Sequence, residues 1–329
     1  MESPLLQSPG AVPADAPDQE IAAHYGEPSQ EQRALEAGTA FVDRSNRGVV
    51  RVSGPDRLSW LHSLLSQSLV GLPPFAPTEA LLLSPNGHLE HHLHLIDDGE
   101  VTWAHVEPGT APALVEFLDR MRFMLRVEVA DATGEYAVIT GPAGDGDGRL
   151  AWPDVSGTVT RVARRSDGFP EGLRPAGLWA YEALRIAAHR PRFGLDTDHR
   201  TIPHEVGLVD TAVHLNKGCY RGQETVARVH NLGRPPRRLV FLHLDGSVDR
   251  LPASGDPVEI PGGRTVGAVG SAARHHELGP IALALVKRNV PVDAELLAGG
   301  IAAAQEVVVS PETGANAQID LRRRSAPRA

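Results

Sequence analysis

Three groups of residues in this chain have the types and spacing for chemistry. The first is the run from His214 to His230, which holds the only cysteine, Cys219, between Gly218 and Tyr220. Lys217 and Arg221 lie two residues to either side, and positive charge beside a thiol favours the nucleophilic, metal-binding thiolate. Gly218 and Gly222 let the backbone bend sharply, and a helix beginning near Arg221 would turn its positive end toward the sulfur. These neighbours read Cys219 as an exposed, activated thiol. The competing reading is a small buried apolar residue. His214 and His230 are candidate bases whose reach sequence distance does not fix.

The second group is Thr201-Ile-Pro-His-Glu-Val-Gly207. A carboxylate behind a proline turn can be held inward, where Glu205 could make two parallel charge-assisted bonds to a flat N–H/NH₂ edge. An ordinary acid at a helix start fits the same residues. The third is His88-Leu-Glu-His-His-Leu-His94. On a strand, His88, Glu90, His92 and His94 share one face. That alternation suits a divalent ion, and equally the solvated face of a half-buried strand.

The elements that must position these groups follow from patterning. Residues 1–29 are rich in Pro, Ala, Ser and acids and read as a disordered lead-in. Over 30–233, a strand at Gly48–Ser53 feeds a helix carrying Leu58, Leu61, Leu64 and Leu65, with Ser53-Gly-Pro-Asp56 read as its cap and first turn. Ser84-Pro-Asn-Gly87 marks a hairpin between strands 80–83 and 88–96. Residues 110–123 and 178–188 have helical spacing, the second ending at His189-Arg-Pro191. Residues 141–157 read as a loop, and 192–204 as irregular chain lining a surface or cleft. From 234 to 312, short strands parted by Gly, Pro and Asp suggest a small barrel or sandwich. Residues 313–329 form a basic tail. Strands joined by hairpins and mixed with helices give an α+β fold with a mainly antiparallel sheet.

The bulk numbers narrow the function. A chain of 329 residues exceeds one ordinary core, so two or three packed units are expected. Its 41% hydrophobic and 22% charged residues are globular values. A net charge of −9 argues against nucleic acid as the main ligand. A single cysteine excludes an intrachain disulfide framework and fits a reducing compartment. No run is long and apolar enough to cross a membrane, and the start lacks the pattern of a secretory signal, so a cytoplasmic protein is expected.

Lys217-Gly-Cys-Tyr-Arg-Gly-Gln-Glu224 resembles the Lys-Gly-Cys-Tyr-x-Gly-Gln-Glu signature of the YgfZ-like folate-binding proteins, within the superfamily of the glycine-cleavage T-protein (aminomethyltransferase). The resemblance extends through Val52–Arg57, Pro85-Asn-Gly87, Ala183-Leu-Arg-Ile186 and Ile202–Gly207, covering roughly residues 38 to 310. It implies a GcvT-like three-domain ring around a central hole, with ferredoxin-like N-terminal units and a C-terminal β-barrel. It further implies tetrahydrofolate as cofactor, bound over 30–233 by Glu205, Lys217, Tyr220 and Arg185, with Cys219 and Lys217 as the functional pair. Its partners would be iron–sulfur client proteins or assembly factors. One departure stands out. Where the aminomethyltransferases carry an Asp-Asp pair after the hairpin glycine, one acid being catalytic, this chain has His91 and His92. True aminomethyl transfer, with a histidine replacing the acid, and a metal-binding or structural scaffold built on the 88–94 histidines are the rival readings.

Overall fold

The computed structural model describes residues 2–143 and 150–315. The N-terminal segment is not the lead-in its composition suggests. It pairs strand β1 (Val12–Pro13) with β2 (Ala22–His24), and Ile21 and Ala23 are buried. Gly177 shows how closely it packs, since a Cβ there would lie 2.1 Å from the Ala23 carbonyl oxygen. A few apolar residues suffice because they are inserted against an existing surface and have no separate core to build.

Helix α1 (Pro28–Glu36) and strand β3 (Ala40–Asp43) begin the first main unit. The chain then leaves it to build a second one: β4 (Gly48–Ser53), α2 (Arg57–Leu64), β5 (Thr78–Leu83), β6 (Leu89–Asp97), β7 (Val101–Val106), α3 (Ala111–Met121) and β8 (Glu128–Asp131). These strands form one antiparallel sheet in the order β5-β6-β7-β4-β8. Its helix-bearing face buries Leu61, Leu65, Leu114 and Leu118 against Val50, Leu82 and Leu95. The expected cap of α2 is absent. Asp56 stands at the cap position without a side-chain bond to the helix, because its carboxylate accepts from the backbone and guanidinium of Arg126.

The chain returns to the first sheet with β9 (Tyr136–Pro142), β10 (Ala151–Pro153), β11 (Thr158–Arg164) and β12 (Arg174–Ala176), giving the order β10-β11-β9-β3-β12. Only β12 against β3 is parallel in this sheet. The expected loop at 141–157 therefore holds a strand, whose Trp152 is buried between the two sheets with Val49, Ile96 and Trp103. Helix α4 (Leu178–Ala187) is apolar nearly all round because it is covered on several sides, packing on the first sheet through Leu184 and on the barrel side through Ile186.

After α5 (Val209–Ala212) and α6 (Gln223–Asn231), six strands close a barrel: β13 (Arg237–Leu244), β14 (Pro257–Ile260), β15 (Arg264–His275), β16 (Gly279–Lys287), β17 (Leu296–Ala298) and β18 (Ile301–Val307). One apolar cluster fuses all three units. It joins Leu83 and Leu89 of the second sheet, Ile186 of α4 and Tyr220 to Phe241 and Leu283 of the barrel. The α+β class and the terminal barrel agree with the sequence reading. The expected basic tail lies, from residue 316 on, outside the described residues.

Candidate functional site

The Cys219 signature is held against the hairpin of the second sheet. Gly222 has φ +81°, and a Cβ there would meet the Ser84 carbonyl oxygen at 2.5 Å. Glycine is needed both for the backbone conformation and for the approach. Lys217 donates through Nζ to the carbonyls of His62, Leu65 and Gln67, the last two at 2.6 and 2.9 Å. These lie at and just beyond the end of α2, where unpaired carbonyls gather and a cation is favoured. Burial draws the Lys217 pKa down to about 8. The ammonium also sits 5.0 Å from the Tyr220 ring centroid. Tyr220 itself is buried in the shared core, and burial pushes its phenol up to about 12.

Arg221 reaches away to Glu90, pairing with both carboxylate oxygens. Cys219 is exposed. The two cations expected to serve the thiol are thus engaged with a helix end and a strand carboxylate. The sequence placed them beside Cys219 along the chain, but their long side chains are drawn to acceptors contributed by residues far earlier in it.

Glu205 also departs from expectation. Its carboxylate is fully buried, and Arg237 grips it with Nε at 2.8 Å and a second nitrogen at 2.9 Å. The Ile202 amide adds a third donor at 3.1 Å. A carboxylate so filled has no edge left for a flat ligand; it locks the 203–205 turn to the barrel strand β13. Arg185 is likewise structural in its contacts. It is buried and bonds Glu182, Asp196 and the Arg190 carbonyl. Burial works against its charge, yet Glu182 and Asp196 outweigh that and raise its pKa.

What the two sheets, α4 and the chain that follows it do line is a cavity of about 360 Å³. One wall is the open face of the second sheet, with Glu79, His92, His94 and His105. Glu79 stands opposite His94 on β5, and His105 opposite His94 on β7. Glu79 Oε2 lies 3.0 Å from His92 Nε2, and its other oxygen 4.0 Å from His94 Nδ1. The His94 and His105 rings stack at 4.5 Å and 10°. Burial opposes ionisation of Glu79, but the His92 hydrogen bond and the charge of His94 prevail and lower its pKa to about 2. Burial, assisted by His92, takes His94 down to about 3.

Adjoining these histidines is a lattice of buried ion pairs. Arg44 meets Asp154 at 3.3 Å, and Arg47 meets Glu107 at 2.6 Å. Arg192 binds Glu107 at 2.8 Å and both oxygens of Asp18 at 2.8 Å, so the N-terminal segment is tied into the wall. The Asp210 side chain, also on the lining, has no hydrogen bond or ion pair among the described residues, and its charge acts on His204.

No protein-family model matches the chain. Over 92% of its length it superposes on 94% of the glycine cleavage system aminomethyltransferase T of Bartonella henselae, with a TM-score of 0.77 and 17% identity. The chain has the aminomethyltransferase fold. In sequence it is 26% identical to an aminomethyltransferase of Streptomyces avermitilis, across 86% of this chain and 87% of that protein. It is 27% identical to a putative chloroplastic transferase of Arabidopsis thaliana, spanning 64% of this chain and 57% of that one. The same identity relates it to a mitochondrial iron-sulfur cluster assembly factor IBA57 homolog of Mycosarcoma maydis, over 60% of this chain and 55% of the relative.

Within this fold the adjacent histidines His91 and His92 divide. His92 faces the cavity, whereas His91 is turned to Phe193, ring centroids 6.5 Å apart. A bulge causes further separation on the same strand. Register runs from His91 opposite Leu82 to Leu89 opposite Leu83, leaving Glu90 without an opposite residue. The expected single face of His88, Glu90, His92 and His94 is therefore split: Glu90 serves Arg221, and His92 and His94 serve the cavity. Sequence reasoning missed Glu79, His105 and the arginine lattice. Glu79 lacked a usable signal, since the turn register of Leu83 with Leu89 would set it across from Leu93 and only the bulge moves it to His94. The arginines had none either.

Proposed function

We propose that this protein binds a reduced folate in the central cavity and supports assembly or repair of iron–sulfur proteins through Cys219. The observation that carries the reading is the cavity itself: a polar chamber lined by both sheets and α4, in a fold shared with aminomethyltransferases. Its volume is in the range that takes a cofactor. A pterin offers an N–H/NH₂ edge that a carboxylate can grip with two bonds. With Glu205 filled by Arg237, the acid available on the lining is Asp210. Cys219 supplies an accessible soft sulfur, suited to a cluster or to a reactive adduct. Similarity to a named iron–sulfur assembly factor supports that choice of client. An accessible, unpaired cysteine suits a reducing compartment such as the cytoplasm.

Anaerobic titration with tetrahydrofolate tests the cavity. Asp210→Asn should weaken binding at least about tenfold, as for a lost hydrogen bond to a charged group, while Cys219→Ala should bind as the parent does. Equal affinity in Asp210→Asn, or no binding by the parent, defeats the folate assignment. Failure of Cys219→Ala to restore iron–sulfur enzyme activity in cells lacking the protein is the expected second result.

Aminomethyl transfer is the second reading, favoured by matches to aminomethyltransferases along most of the chain. It requires a cavity group to do the work of the missing acid, and His92 is the one of the replaced pair that faces inward. Release of ammonia from an aminomethyl-lipoyl carrier in the presence of tetrahydrofolate would establish it.

A further inference from the structure

We propose that Glu79, His92 and His94 form an open binding site for a divalent first-row transition metal on the wall of the central cavity. Each residue offers one ligand atom, and these atoms all lie within 4.8 Å of one another. The closest pair, Glu79 Oε2 and His92 Nε2, is 3.0 Å apart. Ligands at about 2.0–2.1 Å from a metal stand near that separation, so only His94 has to draw in.

Position on the sheet makes the set rigid. His92 and His94 are two residues apart on β6 and share a face. Glu79 is cross-strand to His94 on hydrogen-bonded β5. The ligands therefore come from adjacent paired strands, which hold geometry better than loops. Two imidazoles and a carboxylate favour zinc, iron(II) and their neighbours over calcium or magnesium. Three protein ligands leave at least one position open, and it faces the cavity, as in metal sites that work on a ligand. When the metal binds, the proton on His92 Nε2 moves to Nδ1, giving the other neutral tautomer.

His105 supplies an independent pointer. It is 3% exposed, and its Nδ1 accepts a hydrogen bond from Arg47 Nε at 3.2 Å. Its proton is thus on Nε2, which is buried and unpartnered among the described residues. This leaves an unpaired buried donor on a ring stacked against His94, one of the proposed ligands. The arginines nearby do not forbid a cation, because Arg44 and Arg47 are already paired with Asp154 and Glu107.

The only other such group among the described residues is Glu36, His275 and His276. There His275 Nδ1 already accepts from the Glu277 and Leu278 amides, and Glu36 is exposed. That group serves as the control.

The test is titration of the untagged, chelator-treated full chain with Co²⁺, followed by visible absorption, and with Zn²⁺ by calorimetry. One ion per chain is expected. His94→Ala and Glu79→Gln should each weaken uptake by about a hundredfold or more, given that loss of even a supporting group costs 10–100-fold. Glu79→Gln keeps the shape and a hydrogen bond to His92, so it guards against a folding defect in the other variant. His276→Ala and Cys219→Ala should bind as the parent does. No stoichiometric uptake by the parent, unchanged uptake in both site variants, or loss in His276→Ala or Cys219→Ala instead would overturn the assignment. The inference does not depend on folate: Asp210→Asn should still take up Co²⁺, whatever its affinity for tetrahydrofolate.

Discussion

Strand β6 serves two regions of opposite design. Through Glu90 it anchors Arg221 of the Cys219 signature, and through His92 and His94 it forms the cavity wall. The signature is contiguous in sequence, yet most of its side chains act as fasteners: Lys217 on the end of α2, Gly222 on the hairpin, Tyr220 in the shared core. Cys219 is left exposed by this fastening, as are its neighbour Gly218 and Glu224 at the far end. The cavity wall has no contiguous motif, and its polar groups come from both sheets, α4 and the chain that follows α4. A compact motif can therefore be mostly scaffold around one reactive atom, while dispersed residues hold the chamber.

Breaking the cavity lattice should have the largest effect. Arg192→Ala strips the buried Asp18 carboxylate of its bidentate partner and takes one partner from Glu107. A loss of about 3–5 kcal/mol is expected, as for a broken buried ion pair, read from the denaturant midpoint. The signature sharpens the contrast. Lys217→Met should cost about 1–3 kcal/mol by leaving α2 carbonyls unpaired, whereas Cys219→Ala should stay within about 0.5 kcal/mol of the parent, as at other surface sites. Equal losses in the two variants would erase the division between fastener and reactive atom.

A further effect concerns pH. Burial, with His230 nearby, lowers the His204 pKa to about 4, and neither ring nitrogen has a hydrogen-bond partner. Below about pH 6.5 the unfolded chain takes a proton that the folded one refuses until about pH 4. Stability should be full above that window and fall through it on acidification, His204 costing about 2 kcal/mol by pH 5. His204→Phe should show a shallower fall in melting temperature between pH 7 and 5. An unchanged slope would place the acid sensitivity elsewhere.

Much of the framework was legible because it rests on local rules. The 178–187 helix, the hairpin at Ser84–Gly87 and the short strands of the barrel follow from periodicity and turn residues. Composition misled at residues 2–29, where a segment poor in apolar residues is ordered by borrowing a surface and by the ion pair of Asp18 with Arg192. Spacing misled at Glu90, where a bulge shifts the face.

By itself, the sequence determined the α+β class, the terminal barrel and the backbone bends around Cys219, because these depend on side-chain period and on glycine conformation. Only the tertiary structure decided which charges are available. Glu205, Lys217, Arg185 and Arg221 all looked free along the chain, and each found partners in the fold. Long charged side chains seek the nearest buried counter-charge or carbonyl, and folding alone sets which of those is near. The same rule left Asp210 unpaired on the cavity lining and gathered Glu79, His92 and His94 into one ligand set.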